Sequence, residues 1–333
     1  MKILVTGACG FIGSNFIHYL LDSHPEDNYT IVDKLTYAGD IHNLDDIKEK
    51  LDIRIADITD EKTMEELFYK KGFDIVVNMA AETHVDRSFI DEEPFLRTNV
   101  LGATNLIKLA KKYHVRRFVQ ISTDEVYGDL ALDSDYRYKE TDRLAPSNPY
   151  SISKAMADLL CLSLSKGSDL ELIITRSTNN YGPYQYPEKL IPLAIDRLLS
   201  DKKIPVYGDG RNMRDWIYVL DNVRAIDLLM RKGTPGIYNI AYGHPISNLE
   251  LLTDLLRSFD KDESYITFVK DRKVHDLRYA LDVSKIESLG FDAKITLKEG
   301  LKKTVDWYKA HRSYLEAKKD RAYNDYLKKV YEE

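Results

Sequence analysis

The sequence contains only two cysteines, Cys9 and Cys161, in 333 residues. So few cysteines cannot form a disulfide framework, and no Cys/His spacing in the chain matches a metal site. A catalytic thiol is disfavoured, because neither cysteine shares a motif with a histidine. We therefore expect free thiols, a cytoplasmic location and no metal.

Long apolar runs and an excess of basic residues are missing as well. No apolar stretch approaches the roughly 20 residues that a membrane-spanning helix needs, and the formal net charge is −6. Nucleic-acid-binding proteins usually present a basic face, so neither a membrane nor a nucleic acid is an expected partner. A strand pattern begins at Lys2, so we expect no signal peptide. Neither repeats nor low-complexity segments occur, and the composition is that of a globular protein with one large or two smaller domains.

Short β-branched runs alternate with longer amphipathic stretches in the first half of the chain. The predicted strands are Lys2–Thr6, Thr30–Asp33, Ile53–Ala56, Ile75–Asn78, Arg117–Ser122 and Leu172–Arg176. The predicted helices are Gly13–Asp22, Lys62–Lys70, Arg97–Tyr113 and Tyr150–Lys166. Apolar strands separated by helix-length crossovers indicate a parallel sheet covered by helices. The predicted fold class is α/β, with a Rossmann-type doubly wound parallel sheet.

The composition changes after Arg176. Residues 179–192 and 205–210 are rich in Tyr, Pro and Gly, whereas a strand and helix pattern returns between Trp216 and Ile240. These changes predict a larger domain of residues 1–178 plus 215–242. They also predict a smaller, discontinuous α/β C-terminal domain of residues 179–214 and 243–333, which would bind the substrate.

A glycine-rich turn, Gly7-Ala-Cys-Gly10-Phe-Ile-Gly13, joins the first predicted strand to the first predicted helix. Glycines there let the backbone approach a pyrophosphate, which binds at the helix N-terminus. Asp33 ends the second strand, where a carboxylate accepts hydrogen bonds from an adenosine ribose and repels a 2′-phosphate. These features predict NAD rather than NADP, bound by the larger domain.

Two pairs of ionisable residues predict the chemistry. Tyr150 and Lys154 lie one helical turn apart, so the lysine can stabilise a phenolate and hold the nicotinamide ribose. Asp124 and Glu125 follow the fifth strand at its carboxyl end, where ligands bind in open α/β sheets. One of these acids can accept a proton and the other can donate one, whereas a simple alcohol oxidation does not need this second pair. The two pairs predict oxidation of a carbinol followed by expulsion of water; the alternative is that the acid pair is a solvated turn.

The chain resembles the extended short-chain dehydrogenase/reductase family from end to end. Within that family, STDEVYG, PYSxSKA, NNYGPYQYPEKLIP, RDWIYV, VDKLTYAG and AAETHVDRS are similar to the dTDP-glucose 4,6-dehydratases. The resemblance implies catalysis by Thr123, Asp124, Glu125, Tyr150 and Lys154. The expected cofactor-binding residues are Gly7, Gly10, Phe11, Ile12, Gly13, Asp33, Lys34, Leu35, Thr36, Asp57, Ile58, Ala80, Ala81, Thr98 and Asn180. The expected substrate-binding residues are Thr83, His84, Asn179, Lys189, Leu190, Pro205, Tyr207, Arg214, Asn248, Arg272 and His275.

The same resemblance implies a reaction in three steps on a nucleotide sugar. Tyr150 takes the proton of the 4-hydroxyl, which Thr123 positions, as a hydride leaves C4 for NAD. Glu125 then removes the proton at C5 while a protonated Asp124 assists departure of the 6-hydroxyl. Return of the hydride to C6 and of the proton to C5 completes the cycle. A homodimer joined by the predicted helices Arg97–Tyr113 and Tyr150–Lys166 is implied as well.

One segment departs from the family pattern. The family usually reads DRPGHDRRY where this chain reads DRKVHDLRY at Asp271–Tyr279. The segment borders the nucleoside, so UDP-glucose and a UDP-N-acetylhexosamine stay open beside dTDP-glucose. A 4-epimerase or decarboxylase on the same scaffold is an alternative activity. An NAD-sensing regulator is the non-enzymatic one, and the presence of Thr123, Tyr150 and Lys154 argues against it.

Overall fold

Strands alternate with helices along most of the chain in the computed structural model, which describes residues 1–272, 274–319 and 323–324. The strands are β1 (Lys2–Thr6), β2 (Asn28–Asp33), β3 (Asp52–Ile55), β4 (Ile75–Asn78), β5 (Arg117–Thr123), β6 (Glu171–Ser177), β7 (Asn179–Tyr181), β8 (Ile204–Tyr207), β9 (Met213–Arg214), β10 (Trp216–Tyr218), β11 (Gly236–Ile240), β12 (Ile246–Ser247) and β13 (Ile266–Val269). The α-helices are α1 (Phe11–Ser23), α2 (Glu61–Lys71), α3 (Val85–Ile90), α4 (Glu93–Phe95), α5 (Ala103–Lys112), α6 (Pro149–Ser165), α7 (Leu190–Leu199), α8 (Val219–Lys232), α9 (Asn248–Arg257), α10 (Ser284–Glu287), α11 (Leu297–Ala310) and α12 (Arg312–Ala317). A π-helical stretch, Leu96–Gly102, runs directly into α5, and short 3₁₀ turns span Ile41–Leu44, Lys48–Lys50, Asp124–Tyr127 and Glu263–Tyr265.

A seven-stranded parallel sheet in the order β11-β6-β5-β4-β1-β2-β3 forms the centre of the molecule. The chain moves outward from β1 to β3 and then resumes on the other side of β1 with β4. That reversal leaves a crevice outside the carboxyl ends of β1 and β4, which is where ligands bind in sheets of this kind. The predicted Rossmann-type fold is confirmed.

Alternate residues of the sheet enter two different cores, because successive side chains of a strand point to opposite faces. Ile3 and Val5 of β1 belong to a core built with α1 and α8. Leu4, between them, belongs to the opposite core, to which α2, α5 and α6 contribute. This alternation covers both faces of the sheet with helices.

The second half of the chain builds a separate hydrophobic core from α7, α9, α11 and α12 with the strands β8, β10 and β13. Here β7 pairs with β10, β9 with β12 and β8 with β13. The strand Gly236–Ile240, by contrast, returns to the large sheet and pairs with β6. Lys273 and residues 320–322 and 325–333, all within the predicted substrate domain, lie outside the described residues.

Each of the six strands predicted in the first half of the chain is present within two residues of its expected ends. The predicted helix Arg97–Tyr113 is the π-helical stretch followed by α5. Cys9 and Cys161 are buried and free. In the part of the chain that the structure describes, no helix is both long enough and apolar enough to cross a bilayer.

Candidate active site

A cavity of about 280 Å³ opens along the carboxyl ends of the central strands. Gly7 follows β1, Asp33 ends β2, Ala80 follows β4, Thr123 ends β5 and Ser177 ends β6, and all five line it. Parallel strands end at one edge of the sheet, so residues far apart in sequence meet here. The cavity contains the glycine turn together with both predicted pairs of ionisable residues.

Two positions of the glycine turn require glycine, because a side chain there would collide with neighbouring backbone. The turn can therefore pack tightly and leave the start of α1 open to a ligand. Gly7 has a φ of +70°, and a Cβ there would lie 2.6 Å from the backbone of Ala80. A Cβ at Gly13 would lie 2.3 Å from the carbonyl oxygen of Gly7. No side chain caps α1 at Gly10, so amides of the first helical turn remain to bind a pyrophosphate. These residues fit NAD.

Asp33 is positioned for a ribose by two backbone amides. Its Oδ2 accepts a hydrogen bond from the N–H of Cys9 at 2.9 Å and its Oδ1 accepts one from Leu35 at 2.8 Å. Burial raises the pKa of Asp33, and these amides oppose the increase. The neighbouring Lys34 is paired with Asp57, with 2.8 Å between Nζ and Oδ2. The charge of Lys34 is thus already balanced, which leaves it less suited to a 2′-phosphate.

Tyr150 and Lys154 face the same cavity from α6. Lys154 is buried and its Nζ donates a hydrogen bond to the carbonyl oxygen of Ile121 at 2.5 Å. Burial lowers the pKa of Lys154 to about 8, and Asp158 opposes this change. Burial and the charge of Glu125 raise the pKa of Tyr150, although a hydrogen bond with Thr123 opposes the increase. The pKa of Tyr150 is therefore raised in this arrangement, whereas the sequence pattern predicts that Lys154 lowers it.

Asp124 and Glu125 begin the 3₁₀ turn that follows β5. Asp124 is 3% exposed, and its Oδ1 accepts a hydrogen bond from the hydroxyl of Thr123 at 3.2 Å. Burial and the charge of Glu125 raise the pKa of Asp124 to about 8. Burial also raises the pKa of Glu125, whereas a hydrogen bond from Asn148 and the charge of Arg214 lower it. Two adjacent carboxyl groups in different surroundings are suited to act as one acid and one base.

A second cavity of about 70 Å³ reaches Glu125 from the side of the smaller core. It is lined by the cationic side chains Arg214 and Arg272 and by His275. The guanidinium of Arg214 lies 4.5 Å from the centre of the Tyr279 ring, and that of Arg272 lies 4.5 Å from the centre of the Tyr207 ring. Cations held by aromatic rings beside a cavity suit an anionic group such as a diphosphate.

The predicted site residues divide between these two cavities. Of the predicted catalytic and cofactor-binding residues, only Leu35 lies outside the large cavity, and it contributes its N–H to Asp33. Of the predicted substrate-binding residues, Thr83, Asn179 and Lys189 line the large cavity, and Arg214, Arg272 and His275 line the small one. His84, Leu190, Pro205, Tyr207 and Asn248 line neither cavity, so their contact with a ligand stays a prediction.

Two of these outlying residues, His84 and Tyr207, have structural partners. His84 is buried, its Nε2 lies 3.9 Å from Glu188, and burial lowers its pKa well below the usual range. Tyr207 packs against Arg272 and His275. Leu190 begins α7 and Asn248 begins α9.

Sequence reasoning missed several residues that line the cavities, among them Tyr37, Glu188 and Asn148. Glu188 accepts hydrogen bonds from the hydroxyl of Tyr37 at 2.8 Å and from Arg87 Nε at 3.1 Å. It therefore joins the loop after β2 to the segment before α7. The only signal for Glu188 is its place beside Lys189 in the motif YPEKLIP. Asn148 directly precedes Pro149-Tyr150, where a helix cap was to be expected.

Fold and site together define a dinucleotide-dependent enzyme whose cavity contains an acid pair beside a Tyr–Lys pair. The chain belongs to the family whose model is described as GDP-mannose 4,6 dehydratase, which matches residues 4–304. The resemblance to the extended short-chain dehydrogenase/reductase family and its dTDP-glucose 4,6-dehydratases is confirmed.

Relatives of known name match over nearly the whole chain. A dTDP-glucose 4,6-dehydratase of an Actinoplanes species is 44% identical over 325 residues, which cover 94% of this chain and 99% of the relative. A low-salt glycan biosynthesis protein of Haloferax volcanii is 46% identical over 311 residues, which cover 92% of this chain and 98% of that protein. A crystal structure of a dTDP-glucose 4,6-dehydratase from Streptomyces venezuelae superposes with a TM-score of 0.92 at 42% identity. That comparison covers 96% of this chain and 100% of the other, which was solved with NAD and TYD bound.

Proposed function

We propose that this protein is an NAD-dependent nucleotide-sugar 4,6-dehydratase, a hydro-lyase that converts dTDP-glucose to dTDP-4-keto-6-deoxyglucose. The observation that carries this proposal is the pair of buried Asp124 and half-buried Glu125 in the same cavity as Tyr150 and Lys154. Epimerisation at C4 needs the hydride transfer but no elimination, so it gives the acid pair no task. The relatives named dTDP-glucose 4,6-dehydratase support the same reaction.

NAD would be held by the larger domain, residues 1–178 with 215–242. The glycine turn and the first amides of α1 would bind the pyrophosphate, and Asp33 would accept hydrogen bonds from the adenosine ribose. When bound, NAD supplies an acceptor for the C4 hydride and later returns that hydride to C6. The remaining chemistry consists of proton transfers by the protein.

Tyr150 would take the proton of the 4-hydroxyl, with Thr123 placed to hold that hydroxyl. Because its pKa is raised by burial, Tyr150 needs a nearby cation to act as a base. Lys154 is a cation on the same face of α6, and its lowered pKa of about 8 leaves it mostly protonated at neutral pH.

Glu125 would take the C5 proton, which becomes acidic once C4 is a ketone. Asp124, with a pKa of about 8, holds a proton at neutral pH and would give it to the departing 6-hydroxyl, so that water leaves. Glu125 would then return a proton to C5. Tyr150 ends the cycle with one more proton and Asp124 with one fewer, so the proton count of the site is unchanged. Transfer of that proton from Tyr150 to Asp124, directly or through solvent, would return both groups to their starting states.

The nucleotide would extend from this site over the smaller domain, residues 179–214 and 243–333. Arg214, Arg272 and His275 line the adjoining cavity and would hold the diphosphate and its neighbouring groups. In the altered segment Asp271–Tyr279, His275 Nδ1 lies 2.5 Å from Asp271, and Arg272 pairs with Asp86 at 2.7 Å. These contacts of Arg272 and His275 would lie beside the nucleotide, although the sequence of the segment differs from the family pattern.

We also propose a cytoplasmic homodimer. Leu101, Ile152, Met156 and Leu159 are large apolar residues that are exposed on the π-helical stretch and α6. Such a patch on neighbouring helices is typical of a protein interface.

The proposed cytoplasmic location is supported by the two buried free thiols, which fit a reducing compartment.

Mass spectrometry of the purified protein in D₂O tests the reaction. Separate incubations with dTDP-glucose, UDP-glucose and UDP-N-acetylglucosamine would compare the possible substrates. We expect dTDP-glucose to lose one water fastest and to gain one deuterium at C5. An unchanged mass, with inversion at C4 detected by NMR, would instead identify an epimerase. In a further incubation with a UDP-uronic acid, loss of carbon dioxide would identify a decarboxylase.

A further inference from the structure

The side chain of Asn148 connects the acid pair to the helix that carries Tyr150. Asn148 is 3% exposed and is the N-cap of α6. Its Oδ1 accepts a hydrogen bond from the N–H of Ser151 at 2.9 Å, and its Nδ2 donates one to Glu125 Oε2 at 3.2 Å. The cap fixes the orientation of the amide, because the N–H of Ser151 requires an oxygen as its acceptor. The NH₂ group must therefore face Glu125.

We propose that Asn148 is the positioning residue that makes Glu125, rather than Asp124, the base that removes the C5 proton. This inference rests on the proposed function. An amide N–H can only donate, so it stabilises the ionised form of the carboxyl group that it contacts. Asp124 has no amide donor: its Oδ1 accepts a hydrogen bond from the hydroxyl of Thr123, a group that can accept as well as donate, and its Oδ2 has no hydrogen-bond partner among the described residues. The adjacent acids thus differ in the donor that each one meets: a hydroxyl for Asp124 and an amide for Glu125.

The same contact sets the distance between the two bases of the reaction. Tyr150 lies two residues after Asn148, at the start of α6, and Glu125 is tied to that start by the amide. The groups that act on the 4-hydroxyl and on C5 therefore keep a fixed spacing. Asn148 touches neither reacting atom in this account; it acts through Glu125.

Substitution of Asn148 by serine separates the two tasks of the side chain. Serine is a good N-cap, so Asn148→Ser should keep α6 intact while removing the donor to Glu125. Ser151→Ala is the matched control, because Ser151 completes the capping box through its hydroxyl but lines neither cavity. Asn148→Asp also keeps the cap and replaces the donor by a second carboxylate.

The experiment measures three quantities for each variant with dTDP-glucose. They are the single-turnover rate of cofactor reduction, the rate of C5 deuterium incorporation as a function of pH, and the thermal unfolding midpoint. For Asn148→Ser we expect cofactor reduction at the wild-type rate and roughly tenfold slower C5 exchange at neutral pH. We also expect the acidic limb of its pH profile to move about one unit upward. Ser151→Ala should leave both rates and the limb unchanged.

The outcomes separate the inference from the proposed function. If wild-type protein releases no water from any of the three sugars, the proposed function fails and this inference falls with it. If wild-type protein is active but Asn148→Ser keeps the wild-type acidic limb, Asn148 is only a helix cap. The same conclusion follows if Asn148→Ser and Ser151→Ala slow both steps to the same extent. Should Asn148→Ser fail to fold, Asn148→Asp decides: a larger upward shift supports the inference, and an unchanged limb overturns it.

Discussion

Asp158 and Arg176 form a buried ion pair directly behind the Tyr–Lys pair, with 3.0 Å between the carboxylate Oδ2 and the guanidinium Nε. Asp158 lies one helical turn after Lys154 on α6, and Arg176 lies in β6 over the ring of Tyr127. The charge of Asp158 raises the pKa of Lys154 against the effect of burial. The pair therefore joins helix to sheet and helps to keep the active-site lysine charged.

Asp158→Asn should destabilise the protein strongly. The substitution leaves the Arg176 guanidinium buried without a counter-charge, for which a cost of roughly 3–5 kcal/mol is expected. Urea unfolding followed by circular dichroism measures the loss. Asp306→Asn is the control, because Asp306 and Lys302 form an exposed pair on α11, and exposed ion pairs contribute little to stability. Equal losses in the two variants would mean that Arg176 finds another partner.

Glu125→Gln should stop elimination without stopping oxidation at C4. The amide cannot take the C5 proton, whereas Tyr150, Lys154 and the glycine turn are unchanged. Reduced cofactor should therefore accumulate to about one equivalent in stopped-flow absorbance, and no water should be lost by mass spectrometry. Turnover at the wild-type rate would show that another group is the base.

The elimination rate should depend on the protonation of Asp124. Its pKa is raised to about 8, so the proton-donating form predominates below that pH. The rate should fall about tenfold per pH unit above it. Asp124→Asn should lower the rate by roughly 10²–10⁴ and remove this alkaline limb. Persistence of the limb in that variant would assign it to a different group, with Lys154, whose pKa is also about 8, the first to examine.

Two glycines of the cofactor turn should respond differently to alanine. In Gly13→Ala the new methyl group would lie 2.3 Å from a backbone oxygen that cannot move alone, and overpacking of this kind costs roughly 1–3 kcal/mol. In Gly10→Ala the nearest atom, the carbonyl oxygen of Gly7, is 3.3 Å away, so the loss of stability should be smaller than in Gly13→Ala. Thermal unfolding without added NAD measures the difference, and a larger loss in Gly10→Ala would contradict it.

The exposed apolar face should hold two copies of the chain together. Leu101 and Leu159 are 58% and 57% exposed, and replacing both by glutamate places charges in the proposed interface. We expect the double variant to elute as a monomer in size-exclusion chromatography with light scattering. Phe268→Glu is the control, because Phe268 is 56% exposed on β13, a strand of the smaller core. A wild-type mass for the double variant would exclude the face as the interface.

The sequence alone determined the elements whose signals are local. Alternation of apolar strands with helices gave the parallel sheet, and glycines between β1 and α1 with Asp33 after β2 gave the cofactor side. The adjacency of Asp124 to Glu125 and the helical spacing of Tyr150 and Lys154 are properties of neighbours in the chain, so no tertiary information was needed to propose acid–base chemistry.

Only the tertiary structure decided which groups act on one another. The contact of Asn148 with Glu125 joins two loops, and that of Glu188 with Tyr37 spans much of the chain. No short-range pattern encodes such contacts. Burial is also a property of the tertiary structure. It raises the pKa of Tyr150, whereas the spacing of Tyr150 and Lys154 predicted that this pKa would fall. The physical reason is that desolvation depends on every segment packed around a group, whereas sequence spacing reports only the nearest ones.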